Sequence, residues 1–330
     1  LRLIVQVLDA LADMPFAGVW LAGPSLVAGL LWLLPALWVL LPPGWPGRWL
    51  AWLAVGGAVL YRPPAPPAGC VDLVNLDVGQ GLASVVRTET HSLLFDTGPA
   101  FRGGSNSAAH VVLPYLRSIG VLDLDLLVVS HADQDHAGGV ATVREALPVR
   151  ELLLGEPLAD ESATAGRDSR VRACRAGQHW RWDEVAFTVL HPDAAFTGNN
   201  ASCVLSVETG GQRMLLTGDI EAPVERRLLQ RGRVQPAAVV VVPHHGSRTS
   251  SGASFVTALA ARAAVVPAGH NNRWGFPKED VVMRWEQAGS RVFTTADSGA
   301  VHHRLCRDNG LTLLNEYRRK ASRYWHDPVD

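Results

Sequence analysis

The chain has no charged residue between Asp13 and Arg48, no CxxC pair among its four cysteines, and no excess of either charge over its 330 residues. The missing CxxC excludes a zinc knuckle. Cys70, Cys174, Cys203 and Cys306 are then buried free thiols, the commoner state, or contribute one disulfide in an oxidising compartment. With 30 basic against 31 acidic side chains, nothing in the total charge demands nucleic acid as a partner, although a local basic patch would suffice. No short-period repeat is visible. The first residue is Leu rather than Met, as expected of a fragment or the tail of a longer chain.

The gap in charge is filled by apolar residues. Val19 to Leu41 is long enough to cross a ~30 Å hydrocarbon core, and Pro24 and Pro35 would be tolerated there as kinks. Trp20, Trp32, Trp38, Trp45, Trp49 and Trp52 cluster in this region and mark an environment unlike the rest of the chain. Trp49 to Leu60 is a second, shorter apolar stretch that would cross with help from residues 44–47 or lie re-entrant. Arg2, Gln6, Asp9 and Asp13 form one polar stripe on an apolar helix, as at an interface or the edge of a membrane bundle. Residues 1–62 are therefore expected to be a membrane segment and 63–69, with four prolines, a stiff linker.

From Val71 onward short apolar runs alternate with amphipathic ones. Strands are predicted at 71–78, 83–87, 92–95, 124–129, 151–154, 185–190, 203–208, 213–216, 238–242, 263–267, 291–294 and 300–305. Helices are predicted at 108–119, 139–146, 222–230, 254–261 and 278–287. This order suits two face-to-face sheets with helices outside, an α/β sandwich over 70–310. Residues 311–330 then form a C-terminal strand and a surface tail carrying Arg318, Arg319, Lys320 and Arg323.

Chemistry concentrates at strand ends. His131-Ala132-Asp133-Gln134-Asp135-His136 puts four potential ligands into six residues after the apolar run Leu126–Ser130. Two imidazoles and two carboxylates crowded together call for a cation between them, and this ligand set suits zinc, manganese or iron. Gly138-Gly139 lets the chain turn into a helix. Two further apolar strands end the same way, at Asp219 and at His244-His245. Convergence at one sheet edge is how α/β folds assemble sites.

These segments, with Asn75–Gly81, Phe95–Pro99, Leu216–Glu221 and Pro243–Ser247, resemble the metallo-β-lactamase superfamily, whose hallmark run is His-x-His-x-Asp-His. Asp133, standing where the second His would be, points to one branch, the C-terminal domain of the ComEC competence family. The resemblance covers about residues 70–306. It implies an αββα sandwich, two divalent ions, and preceding helices that end a polytopic channel for DNA uptake in natural competence. By position, His131, Asp133 and a bridging Asp219 would hold one metal, and Asp135, His136, Asp219 and His244 the other. The superfamily's remaining His has no counterpart, which leaves Asn199 or Asn200, with Asn200 taken here. Asp135 and His245 would be catalytic, His245 as a proton-transfer group or a support behind the ligands, and Asp77 and Asp96 would brace ligands from behind. Two positions depart from the family pattern: Leu82 replaces an Asp, and Phe276 replaces a His before Pro277.

Three Asp ligands make a hard, anionic site that favours Mn2+, with Zn2+ the alternative. Phosphate would then lean on donors nearby, Ser247, Arg248, Thr249, Ser250 and Arg273. The expected activity is hydrolysis of one strand of incoming DNA beside a membrane channel, with the domain on the outer face of the cytoplasmic membrane and other uptake proteins as partners. A small-molecule lactonase or phosphoesterase, and a DNA-guiding domain with a decayed site, are the alternatives.

Overall fold

The computed structural model describes residues 2–12, 14, 23, 26–42, 44–158 and 170–321. The chain divides into two compact units, Leu1–Pro64 with Tyr115–Val121, and Ala65–Pro114 with Leu122–Asp330.

The first unit holds α1 (Arg2–Ala12), α2 (Leu26–Val39) and α3 (Arg48–Leu60). Arg48 donates to the Val39 carbonyl at 2.7 Å, and Trp38 meets Trp45 edge-on. Among the described residues no helix is long and apolar enough to cross a membrane. The expected span at 19–41 is helical over Leu26–Val39, and 14 residues at ~1.5 Å each reach about 21 Å, short of the hydrocarbon core. Its beginning, 19–22 and 24–25, lies outside the described residues, as does Asp13 of the polar stripe. Many large apolar side chains on these helices are nevertheless exposed, among them Leu30, Leu31, Leu34, Trp49, Trp52 and Leu53.

The second unit is a four-layer sandwich. Its strands are β1 (Cys70–Asn75), β2 (Ser84–Arg87), β3 (Ser92–Phe95), β4 (Leu124–Val129), β5 (Val149–Leu154), β6 (Arg170–Ala173), β7 (His179–Trp182), β8 (Val185–His191), β9 (Val204–Thr209), β10 (Gln212–Leu216), β11 (Val239–Val241), β12 (Ala263–Val266), β13 (Arg291–Thr294), β14 (Val301–Cys306) and β15 (Gly310–Glu316). Its helices are α4 (Leu113–Ser118), which straddles the division and is preceded by a π-helical turn at Ala108–Val112, α5 (Gln134–Ala137), α6 (Val140–Ala146), α7 (Ala222–Gln230), α8 (Ala253–Leu259), α9 (Glu279–Gln287), α10 (Thr295–Ser298) and α11 (Tyr317–Lys320). One sheet runs β15-β14-β1-β2-β3-β4-β5-β6 and the other β13-β12-β11-β10-β9-β8-β7.

The alternation of strand side chains assigns each residue to a layer. On β11, Val239 and Val241 join the core between the sheets with Leu73, Phe95, Phe187 and Met214. Val240 and Val242 face the other way, packing with Phe255, Leu259 and Trp285 from α8 and α9. A strand covered on both faces reads as an unbroken apolar run, which is why Val239–Val242 shows no alternation.

Three expectations are corrected. The cysteines are not free: Cys70 bonds to Cys306 and Cys174 to Cys203, so there are two disulfides. Arg318 is no surface-tail residue, since its guanidinium binds Asp77 and the Ala296 carbonyl. Residues 170–173 and 179–182 form strands at the outer edges of the sheets. Arg323 lies outside the described residues.

Candidate metal centre

β3, β4 and β5 run parallel in one sheet, and β10, β11 and β12 run parallel in the other. Four of their C-terminal ends deliver the chemistry: Asp96 after β3, His131 after β4, Asp219 after β10 and His244-His245 after β11.

The side chains converge in two groups that share His136. His131, His136 and Asp219 form one, and Asp135, His136 and His245 the other; within each, one ligand atom per residue lies within 4.8 Å of the rest. Asp219 stands between two imidazoles, its Oδ1 3.2 Å from His136 Nε2 and its Oδ2 3.2 Å from His245 Nε2. His245 Nε2 is also 3.4 Å from Asp135. His131 Nε2 is 3.6 Å from Asp133, is wholly buried, and has no hydrogen-bond partner.

The Nδ1 atoms explain why the Nε2 atoms point inward. His136 Nδ1 is 2.8 Å from Asp96, which also accepts the backbone N–H and the hydroxyl of Ser130. His245 Nδ1 donates to the Pro267 carbonyl at 2.6 Å. His131 Nδ1 faces the hydroxyls of Ser130, at 3.0 Å, and Ser202, at 3.4 Å. An N–H committed at Nδ1 leaves a lone pair at Nε2, the usual arrangement behind a metal-binding imidazole.

Backbone turns hold the ligands. Thr97 N–H and Oγ1 both donate to the His136 carbonyl, and Leu82 N–H donates to the Asp135 carbonyl. Gly81, at φ 141°, passes so close to that carbonyl that a Cβ would sit 2.3 Å from it. His244 and His245 take left-handed φ values of 49° and 53°. Consecutive left-handed non-glycine residues are strained, and such strain collects at functional sites.

Electrostatics follow from the crowding. Burial disfavours a charged His136, yet Asp219 and Asp96 hold its pKa well above the ordinary value. Burial likewise opposes charge on His245, and Asp219 and Asp135 lift it to about 9. For Asp219, burial pushes up but His136 and His245 pull its pKa well below the usual carboxylate range. Asp133 is lowered chiefly by the neighbouring His131 imidazole.

The donors fit divalent ions. The chemistry is all imidazole and carboxylate, the Nε2 atoms point inward, and His131 Nε2 is a buried orphan that an ion would satisfy. An imidazole nitrogen has one lone pair, so His136 can serve one ion only. Asp219, with one oxygen toward each imidazole, is the group able to serve both.

The structure exchanges the two imidazoles of the His244-His245 pair relative to the sequence reading. His245 joins the ligand cluster, whereas His244 Nδ1 meets Thr249 and Glu221 and its Nε2 lies 3.4 Å from the Asn199 amide. The left-handed backbone is the reason, because it breaks the alternation by which neighbouring side chains are assigned. Asn200 is committed to Glu221, through both its amide nitrogen and its oxygen. Asp96 supports His136, but Asp77 is bound to Arg318 and the Gly79 N–H instead. Arg248 pairs with Asp280 on α9, Ser247 is buried against Thr249, and Arg273 stacks on Trp274 at 4.1 Å. Phe276 lies 5.8 Å from His244, ring to ring. Sequence reasoning missed Ser130 and Ser202, and also Glu156, which accepts from Ala132 N–H and Gly198 N–H and so ties two site loops. Ser130 is visible in the sequence as a polar residue closing the apolar run Leu126–Val129.

The motif order, the sandwich and this cluster agree with comparison to known proteins. The model of the metallo-beta-lactamase superfamily matches residues 76–270, and the chain belongs to that superfamily. Among curated proteins it is similar to "Competence protein ComA" of Neisseria gonorrhoeae, 38% identical over 82% of this chain and 38% of that one. It is also similar to "Recombination protein 2" of Haemophilus influenzae, 36% identical over 76% of this chain and 30% of that one. "ComE operon protein 3" of Bacillus subtilis is 29% identical over 91% of this chain and 42% of that one. Within the superfamily the domain is thus ComEC-like. The chain spans between 30% and 42% of the length of these relatives.

Proposed function

We propose that this chain hydrolyses phosphodiester bonds of DNA at a two-ion centre, during DNA uptake across the cytoplasmic membrane. The observation that carries the reading is the buried convergence of His131, His136 and Asp219 with Asp135 and His245. His131, Asp133 and Asp219 would hold one ion, and Asp135, His136, His245 and Asp219 the other. The ions, Mn2+ or Zn2+, would supply Lewis acidity that lowers the pKa of the attacking water and offsets charge on the phosphate.

The remaining work falls to the chain. Asp96 and the Pro267 carbonyl keep His136 and His245 turned inward. Asp135, less buried than Asp219, sits where it can accept a proton from water at the mouth of the cluster. Arg273, stacked on the half-exposed Trp274, offers a cation and an aromatic face, the pairing that suits a nucleic-acid strand.

Three further observations support the setting. The relatives carry competence and recombination names. The two disulfides suit an oxidising compartment and so the outer face of the membrane. The exposed leucines and tryptophans of α2 and α3 suit an apolar surrounding, as in a membrane bundle completed by further helices.

The test is cleavage of labelled single-stranded DNA by the full chain loaded with Mn2+ or Zn2+. Cleavage is expected with metal, not with chelator, and not by Asp135→Asn. Hydrolysis of lactones or small phosphoesters without any cleavage of DNA would sink the nuclease reading and favour a small-molecule hydrolase.

A further inference from the structure

We infer that the Cys174–Cys203 disulfide is a positioning device for the metal centre; this rests on the two-ion reading above. Cys174 directly follows β6 in one sheet, and Cys203 directly precedes β9 in the other. The bond therefore staples the two sheets together, and its second sulfur sits one residue from Ser202.

The surroundings connect that staple to the ligands. Cys203 N–H donates to the Ser130 carbonyl at 3.0 Å, and Ser130 contacts His131 and His136 through its hydroxyl. The Ser202 hydroxyl accepts the Asp219 N–H at 3.0 Å and lies 3.4 Å from His131 Nδ1. On the other side, Cys174 N–H donates to the Leu154 carbonyl, and Gly155 N–H to Val129, the residue before Ser130. At Gly155 the chains cross so closely that a Cβ would fall 1.8 Å from the Ser130 carbonyl and 2.5 Å from that of Ala201. His131 comes from one sheet and Asp219 from the other, so their separation depends on the sheets staying in register here. The disulfide ties the two sheets together beside that crossing.

The other disulfide is an internal control. Cys70 and Cys306 face each other on neighbouring strands of the same sheet. Cys70 opens β1 and Cys306 closes β14 beside it, whereas the turn that touches Asp135 follows the end of β1, about 17 Å further on. The Cys70–Cys306 bond spans 236 residues of sequence and the Cys174–Cys203 bond only 29. Loop-closure entropy therefore assigns the larger stabilisation to Cys70–Cys306. A positioning role assigns the larger effect on metal binding to Cys174–Cys203. The two rankings are opposite.

The experiment compares the full chain with Cys174→Ser/Cys203→Ser and with Cys70→Ser/Cys306→Ser. Mn2+ affinity is read by calorimetry, visible absorption of the Co2+-loaded protein reports the ligand field, and thermal melting reports stability. The expected result is a loss of about 10- to 100-fold in metal affinity, the range for supports behind metal ligands, and an altered Co2+ spectrum, in the Cys174/Cys203 variant. The Cys70/Cys306 variant is expected to melt lower while binding metal within about threefold of the parent. Should the serine pair fail to fold, Cys174→Ala/Cys203→Val keeps the site apolar and is read the same way. Equal affinities and unchanged Co2+ spectra in folded variants would overturn the inference. Loss of affinity that merely follows the loss of melting temperature in both variants would overturn it too. A parent chain that binds neither ion would instead overturn the metal centre itself.

Discussion

The two halves of the centre are built differently. Around His136 and His245 each imidazole is held from behind by a strong acceptor, the Asp96 carboxylate or the Pro267 carbonyl, and Asp219 closes the ring between them. Around His131 the supports are two neutral hydroxyls, and its carboxylate neighbour Asp133 is 57% exposed. The first half is organised before any ion arrives. The second has its imidazole in place but leaves Nε2 unpaired, so the ion itself completes it. Binding is then expected to be sequential, with the Asp135–His136–His245 position filled first.

The largest break in this comparison should come from Asp219→Ala, which removes the one carboxylate assigned to both ions. Ion stoichiometry is expected to fall from two to below one, with affinity reduced by more than about a hundredfold; mass spectrometry of the native protein under titration would show it. Asp96→Asn attacks only the organised half. It should weaken the first ion by about 10- to 100-fold while leaving the ordering of the two sites blurred or reversed, as followed by Mn2+ paramagnetic resonance. Asp133→Asn touches only the looser half. An exposed carboxylate contributes less, so the second ion alone should weaken, by less than about tenfold, and two-site isotherms would resolve it.

On the centre itself the smallest effect should come from His303, which tests the electrostatic logic elsewhere. His303 is as buried as the site imidazoles, but neither ring nitrogen has a hydrogen-bond partner. Burial, helped by His302 and Arg291, pushes its pKa down to about 4. The unfolded chain takes up that proton below about 6.5, and the folded chain does so only near 4. Stability from this residue is therefore complete above pH 6.5 and declines as the pH falls toward 4, by about 3 kcal/mol in all. Urea melts of His303→Phe should show a flatter acid limb than the parent. Metal affinity at neutral pH should not change.

The same contrast explains what could be read from the residues alone. β3, β4, β13 and α7 fall on the expected residues, because each is a short run buried on one or both faces between clear turn signals. β6 and β7 carry no such signal, because they are edge strands with polar, exposed positions, and β6 is exposed throughout. Asp133, Asp135 and His136 announce themselves by spacing within one turn. The choice between His244 and His245 does not, since spacing arguments assume ordinary backbone and both residues are left-handed. The disulfides were equally hidden: which cysteines meet depends on the closure of two sheets, not on their separation along the chain. The family resemblance implies a ligand support at Asp77 as well as at Asp96, yet the partner of Asp77 is Arg318, 241 residues away.

The Pro267 carbonyl behind His245 has a consequence for how this centre could be mapped by mutation. A scan that replaces one side chain at a time would register Asp96 as a sensitive position, because the acceptor for His136 leaves with it. No such replacement at Pro267 deletes the acceptor for His245, since the atom belongs to the main chain. Two equivalent interactions would thus score very differently, and one of the firmest supports of the site would pass as a neutral position.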